Sequence, residues 1–130
     1  MSTAVYQQVP QGVAIAVNEA QAAATYDLAT ATGGDVLVTV NKFYQITAGA
    51  TFTSLAIQTN DTTAFPIMSA AEGALANLTA AKQIATANNL APFILKSGKK
   101  IQMTIAGSTG TGTGTLALEF IPITAGAYLA

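Results

Sequence analysis

The sequence predicts a mainly β protein: an antiparallel β-sandwich or jelly roll with one short helix in a connection. Three observations predict it. Short β-branched and aromatic runs recur between turns rich in Gly, Thr and Asn; two of those runs alternate apolar and polar residues strictly; and a single stretch carries a helix-start signature. At 130 residues there is room for one domain, or one domain plus an arm. The reading places an N-terminal arm and first strand at 1–34 and the sandwich domain at 35–130.

Within the first segment, Gly12 to Val17 reads as a strand with Val13, Ile15 and Val17 on one side. The alanines of Glu19 to Ala24 favour a helical turn. Gly33-Gly34 punctuates the chain before Asp35. So small and polar a segment buries little, which fits an arm ordered by a neighbouring molecule or a frayed terminus.

From Asp35 the β signal strengthens. Val36 to Val40 is a β-branched run, continued through Phe43, Tyr44 and Ile46 as one long strand, and Thr47 to Ala50 is expected to turn the chain. Phe52 to Thr59 follows with Leu55 and Ile57 pointing one way. Asn60 to Thr63 is a turn in which short polar side chains satisfy the local backbone. Ser69-Ala70-Ala71-Glu72 is a capping box, Ser and Glu each able to satisfy a backbone N–H at a helix start. Leu75 and Leu78 continue the helical spacing, and Asn88-Asn89 and Pro92 are expected to end it.

The last third alternates most clearly. Phe93-Ile94-Leu95 leads through a Ser97-Gly98 turn to Lys100–Ile105, with Ile101, Met103 and Ile105 inward. Gly107 to Gly114, an alternation of Gly with Ser or Thr, reads as a loop tip or loose edge. Thr115 to Phe120 alternates again, burying Leu116, Leu118 and Phe120, and Pro122 ends the ladder. The two alternating runs are expected to form a hairpin with a long loop.

Composition narrows the chemistry. The chain has 27 Ala, 19 Thr and 11 Gly, and no Cys, His, Trp or Arg. Without His or Cys there is no Ser-His-Asp triad, thiolate nucleophile, tetrahedral zinc site or cofactor ligation by those residues. No cofactor, metal or catalytic residue is expected, and an enzyme is the weakest option. Five lysines without arginine do not make a nucleic-acid surface. No basic N-terminal region precedes Lys42, and no apolar run approaches the roughly 18 residues of a spanning helix, so neither a signal peptide nor a membrane partner is expected. Only 8% of residues are charged, against about 25% in ordinary soluble domains, and mean hydropathy is +0.45. Such a neutral, Thr/Ala-rich exterior suits surfaces that end against other protein chains.

Other motifs have plainer readings. Gly110-x-Gly112-x-Gly114 precedes a strand, whereas a phosphate cradle opens a helix. Asp61 is one carboxylate where Ca²⁺ takes six to eight oxygens. Lys96, Lys99 and Lys100 gather at a turn, where they keep a strand end soluble or dock an acidic partner.

The order of elements then resembles a known family. A long strand at Asp35–Ile46 runs into Thr53-Ser54-Leu55-Ala56-Ile57-Gln58-Thr59-Asn60-Asp61 and a variable connection. After it come Lys99 to Ile105, a Gly/Thr turn, and Thr115-Leu116-Ala117-Leu118-Glu119-Phe120-Ile121-Pro122. This is similar, over residues 35–130, to the jelly-roll cement or decoration proteins on the heads of tailed bacteriophages. The Ala-rich stretch 69–87 departs from the pattern. The resemblance implies a structural virion protein on the outer surface of the capsid, made in the host cytoplasm. Its partners would be the major capsid protein and further copies of itself, as a homodimer or homotrimer. The expected contact residues are Tyr6, Val9 and Pro10 of the arm, Lys99 and Lys100, and Thr109, Thr111 and Thr113 of the Gly/Thr segment. Competing readings are another β-rich assembly subunit of a fibre, spike or pilus, or a carbohydrate-binding sandwich; for the latter the chain has only nine aromatics and no Trp.

Overall fold

The computed structural model describes residues 9–84 and 92–130. Stiff β-branched and aromatic side chains pack well on a pleated surface, and the described residues form ten strands. These are β1 (Gln11–Asn18), β2 (Thr25–Thr32), β3 (Val36–Ala50), β4 (Ser54–Thr59), β5 (Pro66–Met68), β6 (Lys82–Ile84), β7 (Phe93–Leu95), β8 (Lys100–Ala106), β9 (Thr111–Pro122) and β10 (Tyr128–Leu129). Sheet I runs β1-β9-β3, with β6 and β7 both on the far edge of β3; sheet II runs β10-β2-β8-β4-β5. Every pairing is antiparallel.

The pairings are nested in sequence: β1 with β9, β2 with β8, β3 with β6 and β7, β4 with β5. They trace one long hairpin whose tip is the β4–β5 connection. It is rolled so that β9 also meets β3 and β8 also meets β4. That is a jelly roll, the expected fold. The segment 11–32 supplies one strand to each sheet, and Val17, Ala29 and Ala31 belong to the common core.

The core forms where the inner phases of the two sheets meet. Val36, Val38, Phe43, Leu116, Leu118 and Phe120 from sheet I face Leu55, Ile57, Ile101, Met103 and Ile105 from sheet II, all buried. Each such side chain contributes roughly 1.5–3 kcal/mol of burial. Phe65 stacks on Phe93 across the sheets, ring centroids 4.5 Å apart.

Several expectations are corrected. Runs β8 and β9 are not a hairpin: β8 pairs β2 and β4 in one sheet, β9 pairs β1 and β3 in the other, and residues 107–110 cross between them. Likewise β7 and β8, joined through the expected Ser97-Gly98 turn, lie in different sheets and do not pair. The long strand does not turn at Thr47 but continues to Ala50. Glu19 to Ala24 is bent, not helical.

The capping box does form: Glu72 N–H donates to Ser69 Oγ at 3.2 Å and Ser69 N–H to Glu72 Oε1 at 3.0 Å. It leads into a single 3₁₀ turn, Leu75–Asn77, the short helix of the connection. Tertiary contacts stop anything longer, because Leu55 N–H donates to Gly73 O and Leu75 N–H to Thr53 O. A Cβ on Gly73 would lie 1.7 Å from Leu55 O, so only glycine fits. The expected stop at Asn88-Asn89 lies outside the described residues.

The Gly/Thr segment is a strand rather than a loop from Thr111 onward. Its period of two places threonines outward and glycines inward. A Cβ on Gly114 would come within 2.5 Å of Phe43 Cζ, and one on Gly110 within 2.3 Å of Phe52 Cδ1. The glycines make room for two core phenylalanines.

Candidate docking face

In a strand, whichever phase does not face the core faces outward. In β3 that outer phase is as apolar as the inner one. Leu37 lies opposite Ile94 of β7 on one side and Ile121 of β9 on the other, an in-register apolar row across three strands. Beyond it come Val40, Tyr44 and Ile46, and of these Tyr44, Ile46 and Ile94 are 42%, 50% and 51% exposed. Towards β1 the same face is nearly flat: Ala14 pairs Ala117, Ala16 pairs Thr115 and Gly12 pairs Glu119. Lys42 and Glu119 are the charged residues in this outward phase, and neither makes an ion pair among the described residues.

Strands apolar in both phases are characteristic of sheets covered on both sides. That signal was present in Val36-Leu37-Val38, Phe93-Ile94-Leu95 and Phe120-Ile121. Reading only the inner phase misses Leu37, Tyr44, Ile46, Ile94 and Ile121.

The outer face of sheet II differs. Lys100 Nζ donates to Asp27 Oδ2 at 2.7 Å and Gln102 Nε2 to Asp27 Oδ1 at 2.7 Å. These bonds hold the exposed Asp27 carboxyl below the usual carboxylate range, the Lys100 bond first. Thr25 and Thr104 share a hydroxyl contact of 3.0 Å. This face satisfies itself.

The expected contact residues are spread over three regions. Val9, 62% exposed, and Pro10 precede β1. Thr111 and Thr113 lie exposed at the start of β9, with Thr113 Oγ1 3.0 Å from Thr47 Oγ1, and Thr109 is in the crossing before them. Lys100 belongs to the sheet II network, and Lys99 sits in the connection leading to it. Tyr6 lies outside the described residues.

One polar cluster is internal. Glu19, directly after β1, is fully buried, and its Oε1 accepts from Gln45 Nε2 at 2.8 Å. Burial pushes its carboxyl up to about 7, against the lowering effect of the Gln45 bond. Among the described residues Glu19 Oε2 and Gln45 Oε1 have no partner, and a neutral carboxyl carries the donor this pair of acceptors lacks. A Cβ on Gly112 (φ +116°) would lie 2.9 Å from Glu19 Oε1, so the glycine strand closes over the carboxyl. Asn41, also inward and fully buried, has neither amide atom partnered among the described residues.

A shallow open depression beside β6 carries one carboxylate, Glu72, already bonded to Ser69. Among the described residues no group of His, Cys, Asp or Glu is placed to hold a metal ion, and no helix is long and apolar enough to cross a membrane. Comparisons with protein families, with curated proteins and with solved structures find no match to this chain.

Proposed function

We propose that this chain is a structural lattice subunit, a capsid decoration (cement) protein that sits on the outside of a phage head and bridges coat subunits. The observation that carries the reading is the in-register row Ile94–Leu37–Ile121 on the outside of sheet I, continued by a flat Ala/Thr strip. A soluble domain gains nothing by leaving such a face to water, whereas a subunit that spends its life against another protein does. On an icosahedral shell many copies bind at once, so modest contacts at each site add up to slow release. The family resemblance of residues 35–130 supplies the partner, the major capsid protein.

Mixing the purified chain with heads of its source phage stripped of decoration, then sedimenting them, tests the reading. Saturable co-sedimentation at a fixed ratio to coat subunits is expected. A chain that stays in the supernatant at every concentration sinks it.

A further inference from the structure

Sheet edges expose unpaired backbone N–H and C=O groups, and proteins blunt them with short strands, bulges, charges or proline. The described edges of this jelly roll obey that rule with one exception. Strand β5 is three residues long, begins at Pro66 and carries a register shift. Strands β6 and β7 are three residues each and β10 two. The edge of β2 is covered by β10 and Ala130 over Thr30–Thr32, and the rest carries a bulge after the charged Asp27. Strand β1 has none of these devices. It is eight residues long, pairs β9 in unbroken register, and holds no charge and no proline. No described strand pairs its other edge.

Its side chains show the same incompleteness. Val13 and Ile15 face inward, opposite Leu118 and Leu116, yet remain partly exposed while both leucines are buried. Residues 13–17 read Val-Ala-Ile-Ala-Val, the same in both directions. An antiparallel pair of two β1 strands centred on Ile15 therefore sets Val13 against the partner copy's residue 17, a second valine. Ala14 meets residue 16 of the partner copy, a second alanine, and the central isoleucines meet each other. These are like-sized, β-branched or small cross-strand pairs, of the kind that stabilise a sheet.

We propose that the β1 edge is a self-association site, at which a second copy of this chain adds its own β1 antiparallel about a two-fold axis at Ile15. The interface is isologous, so it closes at two copies and removes both open edges. Sheet I becomes continuous across the dimer and its outer face doubles in width. The inference concerns the chain alone and does not depend on the capsid.

Three chains decide it, each measured by light scattering without heads present. The wild type is expected at twice 13.1 kDa. Ala14 and Ala16 are exposed and point away from the core, so substitution there leaves the fold intact, which an unchanged urea midpoint checks. A14K/A16K places lysine directly opposite lysine in two symmetric pairs and weakens the dimer by about tenfold or more. A14E/A16K places each glutamate opposite the partner copy's lysine and restores it. A monomeric wild type overturns the proposal, as does a double-lysine chain that dimerises like the wild type, or a Glu/Lys chain no tighter than the double-lysine one. A dimer that ignores phage heads would keep this inference and remove the decoration reading.

Discussion

On the outside of sheet II, Asp27 takes hydrogen bonds from Lys100 and Gln102, and Thr25 meets Thr104. On the outside of sheet I, Leu37 lies between Ile94 and Ile121, and Ala14 faces Ala117. The inner faces differ less: both are built mainly of Val, Ile, Leu and Phe, with Met103 in sheet II, packed to near-zero exposure, although sheet I also buries Asn41 and Gln45 and leaves Val13 and Ile15 partly exposed. Folding explains the inner faces, because burying them stabilises the domain whatever surrounds it. It does not explain the outer ones, where sheet II carries a linked polar network and sheet I, apart from the Tyr44–Gln83 and Thr47–Thr113 contacts, carries an apolar row. On the proposed function, the asymmetry follows from what each face meets after folding.

If the sheets are equivalent inside, truncation should cost the same in either. Leu116→Ala in sheet I and Ile105→Ala in sheet II are each expected to lose about 2–5 kcal/mol in urea denaturation. A cost confined to one sheet would break the equivalence.

The buried carboxyl is Glu19, at the β1 end of sheet I. Its folded value of about 7 lies above its ordinary 4.5, so the native state holds a proton that the unfolded chain has released. Stability is then greatest below about pH 4.5, falls as pH rises to about 7, and levels off above that, by on the order of 3 kcal/mol in all. Glu19→Gln removes this slope and is expected to stabilise the protein at pH 8 while changing little at pH 4. Equal urea midpoints of the wild type at pH 5 and pH 8 would contradict the assignment.

Outside, the comparison sharpens with lysine scanned across both faces. Ile94→Lys is expected to weaken binding to phage heads by about tenfold or more, and Gln58→Lys on sheet II to leave it unchanged. Both side chains are exposed in the free chain, so unfolding should not confuse the result. The smallest effect is expected from Asp27→Asn. The Asp27 pair is exposed and helps only above the ordinary carboxylate range, fading as acid protonates it, so the substitution should barely move the urea midpoint at pH 7.

Much of the inner face was legible because period-two alternation is a local signal: Ile101-x-Met103-x-Ile105 and Leu116-x-Leu118-x-Phe120 need no knowledge of the partner strand. Sheet membership was not legible. A four-residue connection at 107–110 serves equally for a hairpin and for a crossing, and only the pairing of β9 with β3 decides between them. The Gly/Thr segment reads as a loop because glycine weakens a strand unless something needs the space, and what needs it, Phe43 and Phe52, lies more than 50 residues away in sequence. The capping box was correct as local chemistry, but Gly73 bonding to β4 outweighed the helix it announces. The apolar outer row was written in Leu37 and Ile94, yet exposure is a property of the assembled sheet.

The most direct test is to map solvent protection on both faces when the chain binds phage heads, by hydroxyl-radical labelling of side chains. Tyr44, Ile46 and Ile94 on sheet I are expected to become protected while Tyr128 of β10, exposed on the outside of sheet II, labels as in the free chain. Protection of Tyr128 with Ile94 still open would contradict the docking of sheet I.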